Sequence, residues 1–258
     1  MTATLPETKA APITSDDIRR ERLARRIDAA IVKCRNSDTI TKEKMPDDQA
    51  AARQRAKHIY QAAVLAAAAA LAEKNKASDK RKKDDEAAVL LLLLLAGEDA
   101  YRETHGKLVP GADHSQVDEQ AKTFAEQRQS VLGKFSEKLV KNIRQAQKES
   151  VDEKLGETES ARAIRQRAAN TGEVMADTEA QVTLGSVQID RLKRAGMTHK
   201  IWQTCEDERV RDSHENCQLQ GAIPLDRLFG NGLAYPGDPR GQPEDLCNCR
   251  CWLVGIKK

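Results

Sequence analysis

Five of the six cysteines in this chain are crowded into its C-terminal part, together with a histidine. Thiolates and imidazoles are the side chains that bind tetrahedral Zn2+ in proteins. The spacing Cys-x8-His-x2-Cys, followed by a Cys-x-Cys pair, therefore predicts a structural zinc site. The preferred ligands are Cys205, Cys217, Cys249 and Cys251, and the substitutes are His214 and Cys247.

Two other interpretations of the cysteines stay open. They could be free thiols packed as small apolar side chains, or they could form disulfides after cell lysis. Residues 1–6 contain neither the basic segment nor the apolar segment of a secretory signal, so no export is expected. Disulfides are disfavoured in a reducing compartment, and zinc and free thiols are therefore the leading interpretations.

An ordered string of motifs runs through the same part of the sequence. It contains a Trp-x-Thr element, an Asp-x-x-Val-Arg-x-x-His element, a turn with glycine, a proline-rich loop and a terminal Asn-Cys-Arg-Cys element. The residues are Trp202, Thr204, Asp207, Val210, Arg211, His214, Gly221, Phe229, Pro236, Asn248, Cys249, Arg250 and Cys251. Over about residues 160–256 the chain resembles the phage Mu F-like minor head protein family, also called head morphogenesis proteins.

The resemblance implies a structural protein of a tailed bacteriophage and not an enzyme. Family members are assembled in the host cytoplasm and stay inside the capsid at the portal vertex, close to the genomic DNA. The expected partners are the portal and the capsid or scaffold proteins, with several copies of the chain around the portal. The motif residues expected to have structural roles are Trp202, Asp207, Arg211, His214, Asn248 and Arg250.

The motifs also predict particular contacts. Arg211 and Arg250 have acidic neighbours, so each is expected to form a bidentate ion pair with Asp207 or Glu206. Both tryptophans, Trp202 and Trp252, are expected to pack in the middle of the module. An extended segment over 247–251 would place its three cysteines on one face, because side chains alternate along a strand.

Two alternative functions belong to other classes. A metal-dependent nuclease or toxin would use a metal held near His214, in the segment His214-Glu215-Asn216. A DNA-binding protein ejected with the genome would use arginines of the helical region to contact phosphates. The sequence contains no glycine-rich phosphate loop and no paired-carboxylate catalytic site, so a structural histidine is the preferred interpretation.

The elements around these residues predict an α+β fold, with a long helical N-terminal region followed by a small C-terminal module of short strands and turns that a metal could stabilise. Only 3% of the chain is aromatic while 32% is charged, which favours long helices over one large core. The segments are a flexible tail at 1–15, a helical region at 16–155 and a Mu F-like C-terminal domain at 156–258, compact and Cys-rich from about residue 196.

Individual helices are predicted from about residue 16, over 49–76, after residue 86, over 115–149 and over 157–195, with Gly196 as the last C-cap. The helix over 115–149 should bury one stripe, formed by Val117, Phe124, Val131, Phe135, Leu139 and Ile143. Gly106 to Gly111 should interrupt the helical pattern. The most apolar run, 87–96, is about ten residues long and too short for a membrane span of about 20 residues.

Overall fold

The computed structural model of the protein describes residues 45–73 and 82–257. Within these ranges four long helices come first, and a small three-stranded antiparallel sheet follows. This is the α+β architecture that the sequence predicts. The tail predicted at 1–15 and the helix predicted from residue 16 lie outside the described residues.

The four long helices have clear local signals at their ends. They are α1 (Asp47–Glu73), α2 (Lys82–Leu108), α3 (His114–Asp152) and α4 (Glu157–Arg194). Asp113 caps α3, because its carboxylate accepts a hydrogen bond from the Ser115 backbone N–H. Helix α2 continues through Gly106, so the predicted break comes later, just before Pro110, which cannot continue a helix.

The helices pack around a core that is rich in alanine and leucine. Helix α1 packs against α2 and α4, and α3 packs against the same two helices. Fully buried apolar side chains among them include Tyr60, Leu93, Leu132, Leu139 and Ile143. Alanines let the helix axes come close, which compensates for the small number of aromatic side chains.

The leucine run of α2 serves this core and does not form a membrane span. Leu93 is fully buried, while Leu91 and Leu95 lie on the exposed side of the same helix. No helix in the described ranges is both long and apolar enough to cross a membrane.

The buried face of α3 differs from the predicted stripe. Val131 is 46% exposed and Phe135 is only partly buried, while Leu132 and Arg128 lie in the core instead. Arg128 is buried because both carboxylate oxygens of Glu179 on α4 accept hydrogen bonds from its guanidinium, at 2.7 and 2.9 Å. Periodicity that counts only apolar residues misses this face, because its centre contains a charged side chain.

The C-terminal module begins where α4 ends. Gly196 has a φ of 64°, and the Met197 N–H donates to the Leu192 carbonyl, so the predicted glycine C-cap is present as a Schellman motif. The elements that follow are β1 (His199–Gln203), α5 (Asp212–Leu219), β2 (Ile223–Pro224), α6 (Pro243–Leu246) and β3 (Trp252–Ile256). The antiparallel strand order is β2-β1-β3, with Gln203 opposite Trp252.

The proline-rich loop of the module lies directly on α4. A Cβ on Gly185 would lie 2.1 Å from the Pro236 carbonyl oxygen and 2.8 Å from the Tyr235 ring. A Cβ on Gly237, whose φ is 84°, would lie 2.7 Å from the Gln181 carbonyl oxygen. The two glycines therefore allow the backbones of helix and loop to touch, and this contact fixes the module on the helical region.

Replacing Gly185 with alanine should destabilise the protein by about 1–3 kcal/mol, because the loop must move away from α4. Gly133→Ala is the matched control, since a Cβ there meets no atom within 4 Å in the middle of α3. That control should stabilise the protein by about 0.5–1 kcal/mol through helix propensity. Denaturant unfolding of both variants measures the difference, and equal effects would contradict the proposed close contact.

Candidate metal centre

Helix α5 directs His214 into the interior of the module. Arg211 is its N-cap residue, α5 packs against β1, and His214 and Cys217 are its buried residues. The imidazole of His214 lies against the indole of Trp202 on β1, with ring centroids 5.0 Å apart. The histidine is therefore held by an aromatic contact and is only 1% exposed.

A turn after α6 brings two cysteines to the same place. Cys247 is the C-cap residue of α6. Asn248 follows with a φ of 56°, a left-handed conformation that asparagine tolerates better than most residues. The Cys249 N–H then donates to the Leu246 carbonyl, and the chain enters β3 at Trp252. Residues 247 and 248 thus form a turn and 249–251 belong to no strand, so the segment is not the extended strand that alternation of side chains predicts.

His214, Cys249 and Cys251 form a compact buried group. The His214 Nδ1 atom lies 3.5 Å from the Cys251 Sγ atom and 3.8 Å from the Cys249 Sγ atom. All three ligand atoms lie within 4.8 Å of one another, and all three side chains are buried. Two sulfur atoms and one imidazole nitrogen in this arrangement form a candidate metal-binding site.

The two thiols influence each other strongly. A hydrogen bond from the Cys251 thiol holds the pKa of Cys249 well below its usual value, and the nearby imidazole of His214 adds to this effect. The same contact with Cys249, together with burial, raises the pKa of Cys251. A cation bound between the two sulfur atoms would favour the thiolate form of both cysteines.

The other three candidate ligands lie outside this group. Cys217 is buried in the apolar cluster of the module, while Cys205 and Cys247 are partly exposed. Burial raises the pKa of Cys205 and of Cys217. None of the five cysteines in the described part of the chain forms a disulfide.

Asp245 lies close to the ring of His214 and was missed by the sequence analysis. Its Oδ1 atom lies 3.8 Å from the His214 Nε2 atom, which is buried and makes no hydrogen bond in the described structure. The Ser213 hydroxyl also donates to this carboxylate, at 3.3 Å. A carboxylate behind the second ring nitrogen is typical of metal-bound histidines, because it orients the ring. Asp245 carries no sequence signal, since it belongs to none of the quoted motifs.

The motif residues around the group contact one another. Arg250 forms a bidentate ion pair with Asp207, with nitrogen–oxygen distances of 2.6 and 2.8 Å. Arg211 differs from the prediction, because its guanidinium donates to the backbone carbonyl of Cys247. Trp202 and Trp252 are both buried, as predicted.

The Arg250–Asp207 pair should contribute to stability in a pH-dependent way. The hydrogen bond from Arg250 lowers the pKa of Asp207 to about 2. The contribution is therefore complete above the ordinary Asp pKa of about 4 and is lost as the pH falls through about 2. Arg250→Lys removes the bidentate geometry and should lower the melting temperature at pH 7 by roughly 1–3 °C.

Arg209→Lys is the control for this prediction, because Arg209 is 79% exposed and approaches Asp207 only to 3.7 Å. It should leave the melting temperature unchanged. The difference between the wild type and Asp207→Asn, measured in the same melts, should shrink between pH 4 and pH 2. A difference that stays constant over this range would show that the ion pair does not stabilise the module.

Comparisons of the chain with protein-family models, with curated proteins and with solved structures gave no match. The relation to phage Mu F-like minor head proteins thus stays a prediction from the quoted motifs.

Proposed function

We propose that this protein is a structural minor head protein of a tailed bacteriophage, located inside the capsid at the portal vertex. Its helical region would bind the portal and neighbouring capsid or scaffold proteins, and its C-terminal module would be a rigid attachment close to the packaged DNA. Two observations support the proposal: the motif resemblance, and the contacts by which motif residues connect different parts of the module.

This observation supports a structural role over a catalytic one. The ion pair between Arg250 and Asp207, the Trp202–His214 ring contact and the bond from Arg211 to a backbone carbonyl all connect parts of the module. The metal-binding group is 1–3% exposed. A substrate could not approach a metal in this position without opening the module, whereas a structural metal requires such a closed environment.

The helical region offers surface for a protein partner. Helix α1 contains no charged residue from Ile59 to Ala72, although 32% of the chain is charged. Leu65 on this stretch is 38% exposed, and the alanines beside it are exposed as well. Exposed uncharged surface of this kind is typical of protein–protein contacts.

The proposed location predicts that the protein is a component of mature particles. Mass spectrometry of gradient-purified virions should detect it, and it should sediment with portal oligomers when the full chain and the portal protein are co-expressed. Absence from both fractions would contradict the proposal. Cleavage of DNA by the purified chain with added divalent metal would favour the nuclease alternative, and salt-dependent gel shifts would favour the ejected DNA-binding protein.

We further propose that the buried group binds one Zn2+ through the sulfur atoms of Cys249 and Cys251 and the Nδ1 atom of His214. Tetrahedral zinc with ordinary bond lengths separates a sulfur and a nitrogen ligand by about 3.5 Å. The observed separations of 3.5 and 3.8 Å fit this value. The Nε2 atom of His214 makes no hydrogen bond and faces Asp245, which is consistent with a ring that binds zinc through Nδ1. Zinc would neutralise the negative charge of the thiolates. It would also crosslink α5 to the segment just before β3.

A structural zinc ion needs a fourth donor, and we assign it to Cys205. Gln203 lies opposite Trp252 in the β1–β3 pair, so Cys205 and Cys251 lie just beyond the same end of the sheet.

Elemental analysis of the full chain, purified without added metal, should find about one zinc per chain. Cys249→Ser and Cys251→Ser should each abolish the zinc, and Cys205→Ser should weaken its binding. A strong chelator should lower the melting temperature of the wild type, because metal binding contributes to folding.

Cys247→Ser is the matched control, since this partly exposed thiol lies outside the group only two residues before Cys249. It should retain the zinc and the response to chelator. A wild-type protein that takes up no zinc and melts identically with and without chelator would leave buried free thiols as the correct interpretation.

A further inference from the structure

Helix α2 carries an exposed apolar strip in the middle of its solvent-facing side. The strip consists of Ala87, Ala88, Leu91 and Leu95, all of which are exposed. Leu91 is 58% exposed and Leu95 is 48% exposed, and no charged residue occurs from Ala87 to Gly97. Two large leucines one turn apart on an uncharged surface differ from the scattered apolar residues that any protein exposes.

The strip belongs to a longer seam with the spacing of a coiled coil. The seam positions are Asp84, Ala88, Leu91, Leu95, Glu98 and Arg102, separated alternately by four and three residues. Apolar residues at this spacing form the contact line between paired helices. The seam is apolar in its centre and has charged residues at both ends, which is the pattern of an interface with a polar rim.

The charges at the two ends determine the orientation of the partner. We propose that the α2 seam pairs antiparallel with the α2 seam of a second copy of this chain, centred near Leu93. In this arrangement Leu91 faces the second copy's Leu95, and Asp84 faces its Arg102. A parallel pair would instead place Asp84 beside Asp84 and Arg102 beside Arg102, like charges that repel each other.

The local contacts of Arg102 are compatible with this pairing. Its guanidinium already contacts Glu98, Asp99 and Asp118, and the side chains of Asp99 and Asp118 are 65% and 53% exposed. The exposed pairs with Asp99 and Asp118 contribute little to stability. An antiparallel pair related by a two-fold axis is also closed, because each copy uses the same surface, so the contact forms dimers and not filaments.

Sedimentation velocity of the full chain over a range of concentrations tests the proposal. The wild type should be dimeric at tens of micromolar. Leu91→Glu should raise the dimer dissociation constant at least about 30-fold, because it places a charge in the centre of the contact. Val131→Glu is the control, since Val131 is similarly exposed but lies on α3, and it should leave the dimer unchanged.

A charge exchange identifies the antiparallel pairing. Asp84→Arg and Arg102→Asp should each weaken the dimer by roughly 3- to 10-fold, and the double variant should regain the affinity of the wild type. Circular dichroism checks that each variant remains helical. A wild type that stays monomeric at about 100 micromolar, or a double variant that is weaker than both single variants, would overturn the proposal. Either result would leave the portal and zinc proposals unaffected.

Discussion

Two glutamines on α4 connect the helical region with the terminal strand. The Gln181 side chain donates to the Cys251 carbonyl at 2.8 Å and accepts a hydrogen bond from Arg53 on α1 at 3.1 Å. Seven residues later, Gln188 accepts from the Leu253 N–H and donates to Gln49 on α1. The two glutamines lie on one side of the helix. Helix α4 therefore binds both α1 and the terminal segment 251–253 through the same pair of side chains.

The burial of α4 makes these bonds necessary. Every residue from Thr178 to Gly185 is buried, so this part of the helix has no solvent-facing side on which polar groups could be hydrated. An unpaired buried amide costs about 1–3 kcal/mol. The same reasoning applies to Glu179, which is 1% exposed and bound by Arg128 through two hydrogen bonds. Removing one partner of such a pair typically costs about 3–5 kcal/mol, because it leaves a buried charge without compensation.

Local signals explain which parts of this fold the sequence could predict. The Schellman turn at Gly196 depends on neighbours within a few residues, and the fold class follows from the periodicity and composition of each segment. The burial of Trp202 and Trp252 follows from their size, and the Arg250–Asp207 pair follows from complementary charges at motif positions.

Contacts between distant residues could not be predicted in this way. Arg128 and Glu179 are 51 positions apart, and each alone has the signature of a solvent-exposed residue. Lys200 on β1 is only 1% exposed, with its ammonium 5.3 Å from the centre of the Phe229 ring, and burial lowers its pKa to about 8. A lysine is the residue type least expected inside a protein, so only its tertiary neighbours reveal this position.

The candidate metal-binding group and the glutamine contacts meet at one residue. Cys251 directs its sulfur toward His214, while its carbonyl accepts the hydrogen bond from Gln181 on α4. Its position is thus fixed from the helical region on one side and from α5 on the other. The small apolar cluster of the module contains only a few large side chains, and a domain with so little core commonly needs a metal or a partner element. The Gln181 hydrogen bond is such a contact here, and a metal bound by Cys251 would act on the same short segment. Loss of either contact should therefore loosen the whole terminal strand rather than one side chain.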